Sequence, residues 1–99
     1  MLHVIWEFFV PETQSKEFER CYGPAGTWAQ LFRKSPAFRG TQLLRDLQNH
    51  GRYLTIDIWE NQASYEKFRR DFGADYITLD EEMAELTSSE RRIGWFAEL

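Results

Sequence analysis

The side chains able to do chemistry gather in three short stretches of this 99-residue chain. Leu2 to Val10 carries His3 and Glu7, Phe38 to Leu47 carries Arg45, and Arg52 to Glu60 carries Tyr53, Asp57 and Trp59. Two carboxylates, a guanidinium, an imidazole and two rings on one surface could hold a small molecule and move a proton. Glu7 or Asp57 would be the general base, a role that competes with a plain ion pair to Arg45. Trp59 would be either a reactive ring or filler in a subunit interface, where Trp and Tyr are favoured. Proton transfer by Glu7 or His3 would also suffice for an isomerisation or decarboxylation. His3 and Glu7 at i and i+4 of a strand stand about 13 Å apart, too far for one ion without other ligands. The single cysteine, Cys21, closes no disulfide and forms no zinc cluster. No metal site is expected.

The elements that must position these residues follow from periodicity. From Leu2 to Val10 the even positions are all apolar and the odd ones mixed, as in a central strand ended by Pro11. Phe18, Cys21 and Tyr22 share a helical stripe broken at Gly23-Pro24; Trp28, Leu31 and Phe32 repeat it, and Ser35-Pro36 stops it. Strands are expected from Phe38 to Leu47 and from Arg52 to Glu60, joined by the turn Gln48-Asn49-His50-Gly51. Asn61 is an N-cap for a helix carrying Tyr65, Phe68 and Phe72, with Gly73 at its C′ position. Tyr76, Leu79, Met83 and Leu86 form a further helical stripe. A last strand spans Arg92 to Leu99, with Ile93, Trp95, Ala97 and Leu99 alternating.

The order β, broken α, β, β, broken α, β is that of an α+β ferredoxin-like fold, an antiparallel four-stranded sheet with helices on one side. One domain, residues 1–99, is expected. If the aliphatic even residues of the first and third strands meet the helices, the odd residues form an open face. Ile5, Phe9, Leu43, Tyr53 and Trp59 would make it apolar; His3, Glu7, Arg45 and Asp57 would supply its polar groups. Such a patch is a partner or ligand surface, and a second copy of the chain is its simplest cover.

Composition trims the alternatives. Twelve Lys and Arg against 16 Asp and Glu leave a net charge of −4, which disfavours a phosphate backbone. An RNA-recognition module shares this strand order, but Arg52-Tyr53-Leu54-Thr55-Ile56-Asp57-Ile58-Trp59 puts acid where cations are needed. No nucleic-acid partner is expected. No apolar run reaches the ~20 residues of a membrane span and the first residues do not read as a signal peptide, so a cytoplasmic protein without a membrane partner is expected.

Several segments resemble the antibiotic biosynthesis monooxygenase domain family: Trp6-Glu7-Phe8, Tyr22-Gly23-Pro24-Ala25-Gly26-Thr27-Trp28 and Leu31-Phe32-Arg33-Lys34-Ser35-Pro36. Gly40-Thr41-Gln42-Leu43-Leu44-Arg45-Asp46 and Arg52 to Glu60 continue the likeness, which is strongest from Tyr22 to Glu60. The resemblance implies a dimeric α+β barrel, two ferredoxin-like sheets packed into one barrel, so a homodimer through the sheet face is expected. It also implies a monooxygenase that needs no cofactor and acts on a small aromatic or quinone-like molecule between the sheets. The alternative is a non-catalytic homodimer that binds a small molecule or supports another enzyme. Oxygenases of the family use a tryptophan on the third strand, and Trp59 sits at the matching position. Haem-degrading members pair it with an asparagine on the first strand and a histidine on the following helix. Here the first strand offers Glu7, and residues 61–85 contain no histidine. On this reading the catalytic candidates are Trp59 and Glu7, and the pocket is lined by His3, Ile5, Phe9, Leu43, Arg45, Tyr53 and Asp57.

Overall fold

In the computed structural model, which describes residues 1–99, strand β1 (Leu2–Phe9) leads through a 3-10 turn into α1 (Ser15–Tyr22) and α2 (Thr27–Phe32). The hairpin β2 (Phe38–Arg45) and β3 (Arg52–Trp59) follows, then α3 (Gln62–Asp71), α4 (Gly73–Met83), a second 3-10 turn and β4 (Ser89–Phe96). The four strands form one antiparallel sheet in the order β2-β3-β1-β4. This is the expected α+β ferredoxin-like arrangement, with β1 and β3 at its centre.

Local chemistry sets the joints. Gly51 closes the β2–β3 turn at φ +87°, a region costly for any residue with a Cβ, while Asp46 Oδ1 accepts hydrogen bonds from the backbone N–H groups of Gln48 and Asn49. The α1–α2 break is packed so closely that a Cβ on Gly26 would lie 2.4 Å from the Arg20 carbonyl oxygen. Asn61 caps α3, its side chain accepting the Ser64 N–H at 2.8 Å. Gly73 does not terminate α3 in a left-handed conformation. It opens α4 instead, the chain bending at Phe72 (φ −119°, ψ 25°).

The core is a stack of rings. Phe18 lies 4.2 Å from Tyr22 and 5.4 Å from Phe8, centroid to centroid, and Trp59 lies within 5.5 Å of Phe32, Phe38, Tyr65 and Phe68. Large aromatics remove the most area from water, and tilted pairs add to that gain.

The register corrects the expected faces of the sheet. Directly opposed residues of an antiparallel pair share a face, and Leu2, Val4, Trp6 and Phe8 oppose Trp59, Asp57, Thr55 and Tyr53. The even residues of β1 do meet the helices, but so do the odd residues of β3, all of them buried. Leu43 and Arg45 of β2, opposite Thr55 and Tyr53, lie on that side too. The open face therefore carries Leu54, Ile56 and Ile58, together with His3, Ile5, Glu7 and Phe9. The helices present rings, so the ring-bearing edge of β3 packs against them. The aliphatic edge is left outward and half-buried. The open face is still apolar, with different members.

At β4 a bulge opposite Ile5 and Trp6 skips Ile93, so Trp95 and Ile93 do not alternate on one side. The strand also starts at Ser89, three residues before the expected Arg92.

Candidate active site

Beneath the helices the sheet leaves a cavity. Its walls are Trp6 and Phe8 from β1, Tyr22 from α1, Trp28 and Phe32 from α2 and Tyr76 from α4. Its polar groups are Thr55 and Asp57 from β3, Asp80 from α4 and Glu90 from β4. The cavity encloses ≈ 40 Å³ and is open to solvent at its mouth. Apolar walls with a few convergent polar groups are the usual form of a small-molecule site.

Asp57 is the group at its floor. It is 8% exposed, and its Oδ1 accepts the Thr41 hydroxyl at 2.7 Å, with no cationic partner. Burial pushes its carboxyl up to about 6, against the opposing pull of that hydrogen bond. A carboxylate poised just below neutrality can take a proton and give it back. Burial also pushes the Tyr22 and Tyr76 phenols well above their ordinary range, so both stay neutral donors. Glu90 is raised by burial first and by Asp80 second. Trp28, 8% exposed, has a buried indole N–H that makes no full hydrogen bond; its polar neighbour is the Tyr22 phenol, which it pulls down against the push of burial.

The expected site residues do not assemble. Only Asp57 borders the cavity. His3, Ile5, Phe9 and Glu7 lie on the opposite side of the sheet. Glu7 is paired there, but with Arg52 (2.7 Å) and Arg91 (3.3 Å) and not with Arg45; the Arg52 guanidinium foremost holds its carboxyl below the usual range. Leu43 packs against the core, and Arg45 and Tyr53 border a separate groove beside the β2–β3 turn. There the Tyr53 hydroxyl donates to Glu19, and burial foremost pushes the phenol up to about 12.

Trp59 is 0% exposed and belongs to the ring stack, away from the cavity lining. The cavity also lies within one chain, under the helices, and not on the open sheet face. Trp28, which its helical stripe with Leu31 and Phe32 favours as packing over a place at a pocket mouth, packs and lines the cavity at once. Trp6, Tyr22, Thr55, Tyr76, Asp80 and Glu90 were not singled out, and the missed signal is the mixed ring-and-acid edge of β3 facing ring-bearing helices.

No three His, Cys, Asp or Glu side chains converge as metal ligands, and no histidine borders the cavity. No helix is long and apolar enough to cross a membrane.

Comparison with known proteins agrees with this architecture. No curated protein sequence matches the chain. Among solved structures, SnoaB, a cofactor-independent oxygenase from Streptomyces nogalater, superposes with a TM-score of 0.78 at 20% identity, covering 98% of this chain and 91% of that one. The heme-degrader MhuD from Mycobacterium tuberculosis superposes with a TM-score of 0.73 at 20% identity, covering 100% of this chain and 96% of that one. At such identities the likeness speaks for the fold. The family model for antibiotic biosynthesis monooxygenase matches residues 1–71, which takes in β1 through α3 and every β3 residue of the cavity floor, so the chain belongs to the antibiotic biosynthesis monooxygenase family.

Proposed function

We propose that the protein is a cofactor-independent monooxygenase of a small hydroxylated aromatic, bound in the cavity under the helices. The carrying observation is Asp57, a buried carboxylate without a cation, on the floor of a ring-lined cavity. In the reaction Asp57 takes the phenolic O–H proton, and the electron-rich ring reduces dioxygen. The C–O bond then forms at a ring carbon bearing hydrogen. Asp57 returns the proton to the resulting peroxide and next takes the ring C–H proton as the O–O bond breaks. One oxygen stays as a ring carbonyl; the other departs as hydroxide, takes the proton from Asp57 and leaves as water, and the substrate supplies both electrons. The neutral Tyr22 and Tyr76 hydroxyls and the Trp28 N–H are donors for the oxygen that carries charge. Oxygen uptake with a panel of single-ring hydroquinones and phenols tests this. Turnover above the autoxidation background is expected, and its absence across the panel would favour a binding protein without catalysis.

The open face supports a second copy of the chain as its cover. Ile5 and Ile56 are directly opposed at its centre, Leu54, Ile58 and Phe9 surround them, and Leu44 and Phe96 are exposed. An apolar face of this kind is commonly closed by two-fold self-association. The wild type is expected to sediment as a dimer at micromolar concentration and Ile56→Lys as a folded monomer. A stable wild-type monomer would contradict the dimer.

A further inference from the structure

We propose that the cavity selects a cationic aromatic: the ring seated among Trp6, Trp28 and Tyr76, and an ammonium group held at the rim by Asp80 and Glu90. The inference rests on the cavity being the substrate site and names its substrate class. Three carboxylates border the cavity, Asp57 at the floor and Asp80 and Glu90 at the exposed rim, and no Lys, Arg or His does. None of the three is ion-paired within the chain.

The guanidinium groups of this region are stacked on rings, one of them a wall of the cavity. Arg69 stacks on Tyr76 at 3.8 Å from its centroid and donates to the Tyr65 hydroxyl, while Arg92 lies over Trp95 at 5.2 Å. The acids make the rim negative, and Arg69 on the Tyr76 ring opposes them on that wall. Asp80 contributes to the upward displacement of Tyr22, Tyr76 and Glu90, after burial in each case. An anionic ligand would enter against that field. A cation gains from it and from the π faces of the walls.

The cavity also asks for an acceptor deeper in. Trp28 lines it with a buried indole N–H that makes no full hydrogen bond, its polar neighbour being the Tyr22 hydroxyl, and a ligand's phenolic oxygen would complete it. A molecule with a hydroxyl at one end of a ring and an ammonium at the other answers both ends of the site.

Calorimetric titration near neutral pH with tyramine, para-ethylphenol and para-hydroxyphenylacetate compares one ring bearing a cation, no charge and an anion. Tyramine is expected to bind about tenfold or more tighter than para-ethylphenol, with the anion weakest. The double variant Asp80→Asn/Glu90→Gln, altered only at the exposed rim, should bring tyramine down to the affinity of para-ethylphenol and leave the latter unchanged. Tyramine binding no tighter than para-ethylphenol would overturn the charge selection and leave the cavity standing as an aromatic site. Binding by none of the three would overturn both.

Discussion

Asp57→Asn is expected to lower oxygen uptake by about 10²- to 10⁴-fold, the range supplied by a positioned general base. The wild-type rate should rise with pH through about 6, where the buried carboxyl loses its proton, and the residual rate of the variant should lack that inflection. The same substitution carries an opposite expectation for stability. Folding raises this carboxyl from 3.8 to about 6, so the folded state binds its proton more tightly than the unfolded chain does. The stability that this contributes is fully present below pH 4 and is lost as pH rises through 6, because the charge must then stay buried. Asparagine never carries that charge and can still accept the Thr41 hydroxyl. The variant should therefore gain on the order of 3 kcal/mol over wild type between pH 4 and pH 7, read from denaturant midpoints at the two ends. A variant less active and more stable at neutral pH is the mark of a strained functional group. One less active and less stable at both ends would make Asp57 a structural residue.

Trp59→Ala is expected to cost about 3–5 kcal/mol of unfolding free energy, because it empties the centre of the ring stack. Trp59 touches rings from α2, β2 and α3 within 5.5 Å and is wholly buried, so little of its space can be refilled by relaxation. Trp59→Phe should cost much less. It keeps a ring in place and removes an indole N–H that has no hydrogen-bond partner. If Trp59 is packing, purified Trp59→Phe keeps most of its oxygen uptake. Loss of uptake with unchanged stability would assign the indole to the reaction.

The fold was legible in the residues because its signals are local. Pro11, Gly23-Pro24, Ser35-Pro36, Gly51 and Asn61 punctuate the chain and hold in the structure, while Gly73, expected to end α3, opens α4. The site was less legible because the parity of one strand decides it. Leu54, Ile56 and Ile58 read as a core edge when taken alone, and assigning them inward turns Tyr53, Thr55, Asp57 and Trp59 outward together. Pairing with β1 settles the matter the other way. Asp57 survived as a candidate because a carboxylate among apolar neighbours stands out on either face. Glu7 stood out for the same reason and proved to be neutralised by Arg52 and Arg91, partners far away in sequence that no spacing rule could find. Asp80 and Glu90 come from elements that meet β3 only in three dimensions.

The central claim is that ligands enter the cavity under the helices and not the face between copies. Its most direct test is the set of four indole N–H resonances in a nitrogen-15 correlation spectrum, followed while para-ethylphenol is titrated in. Trp6 and Trp28 border the cavity, and Trp59 and Trp95 do not. The Trp28 N–H, which makes no full hydrogen bond in the free protein, should move furthest, with Trp6 next and Trp59 nearly still. Unmoved Trp6 and Trp28 signals, with shifts confined to the backbone amides of Ile5, Leu54 and Ile56, would place the ligand on the opposite side of the sheet and contradict the account.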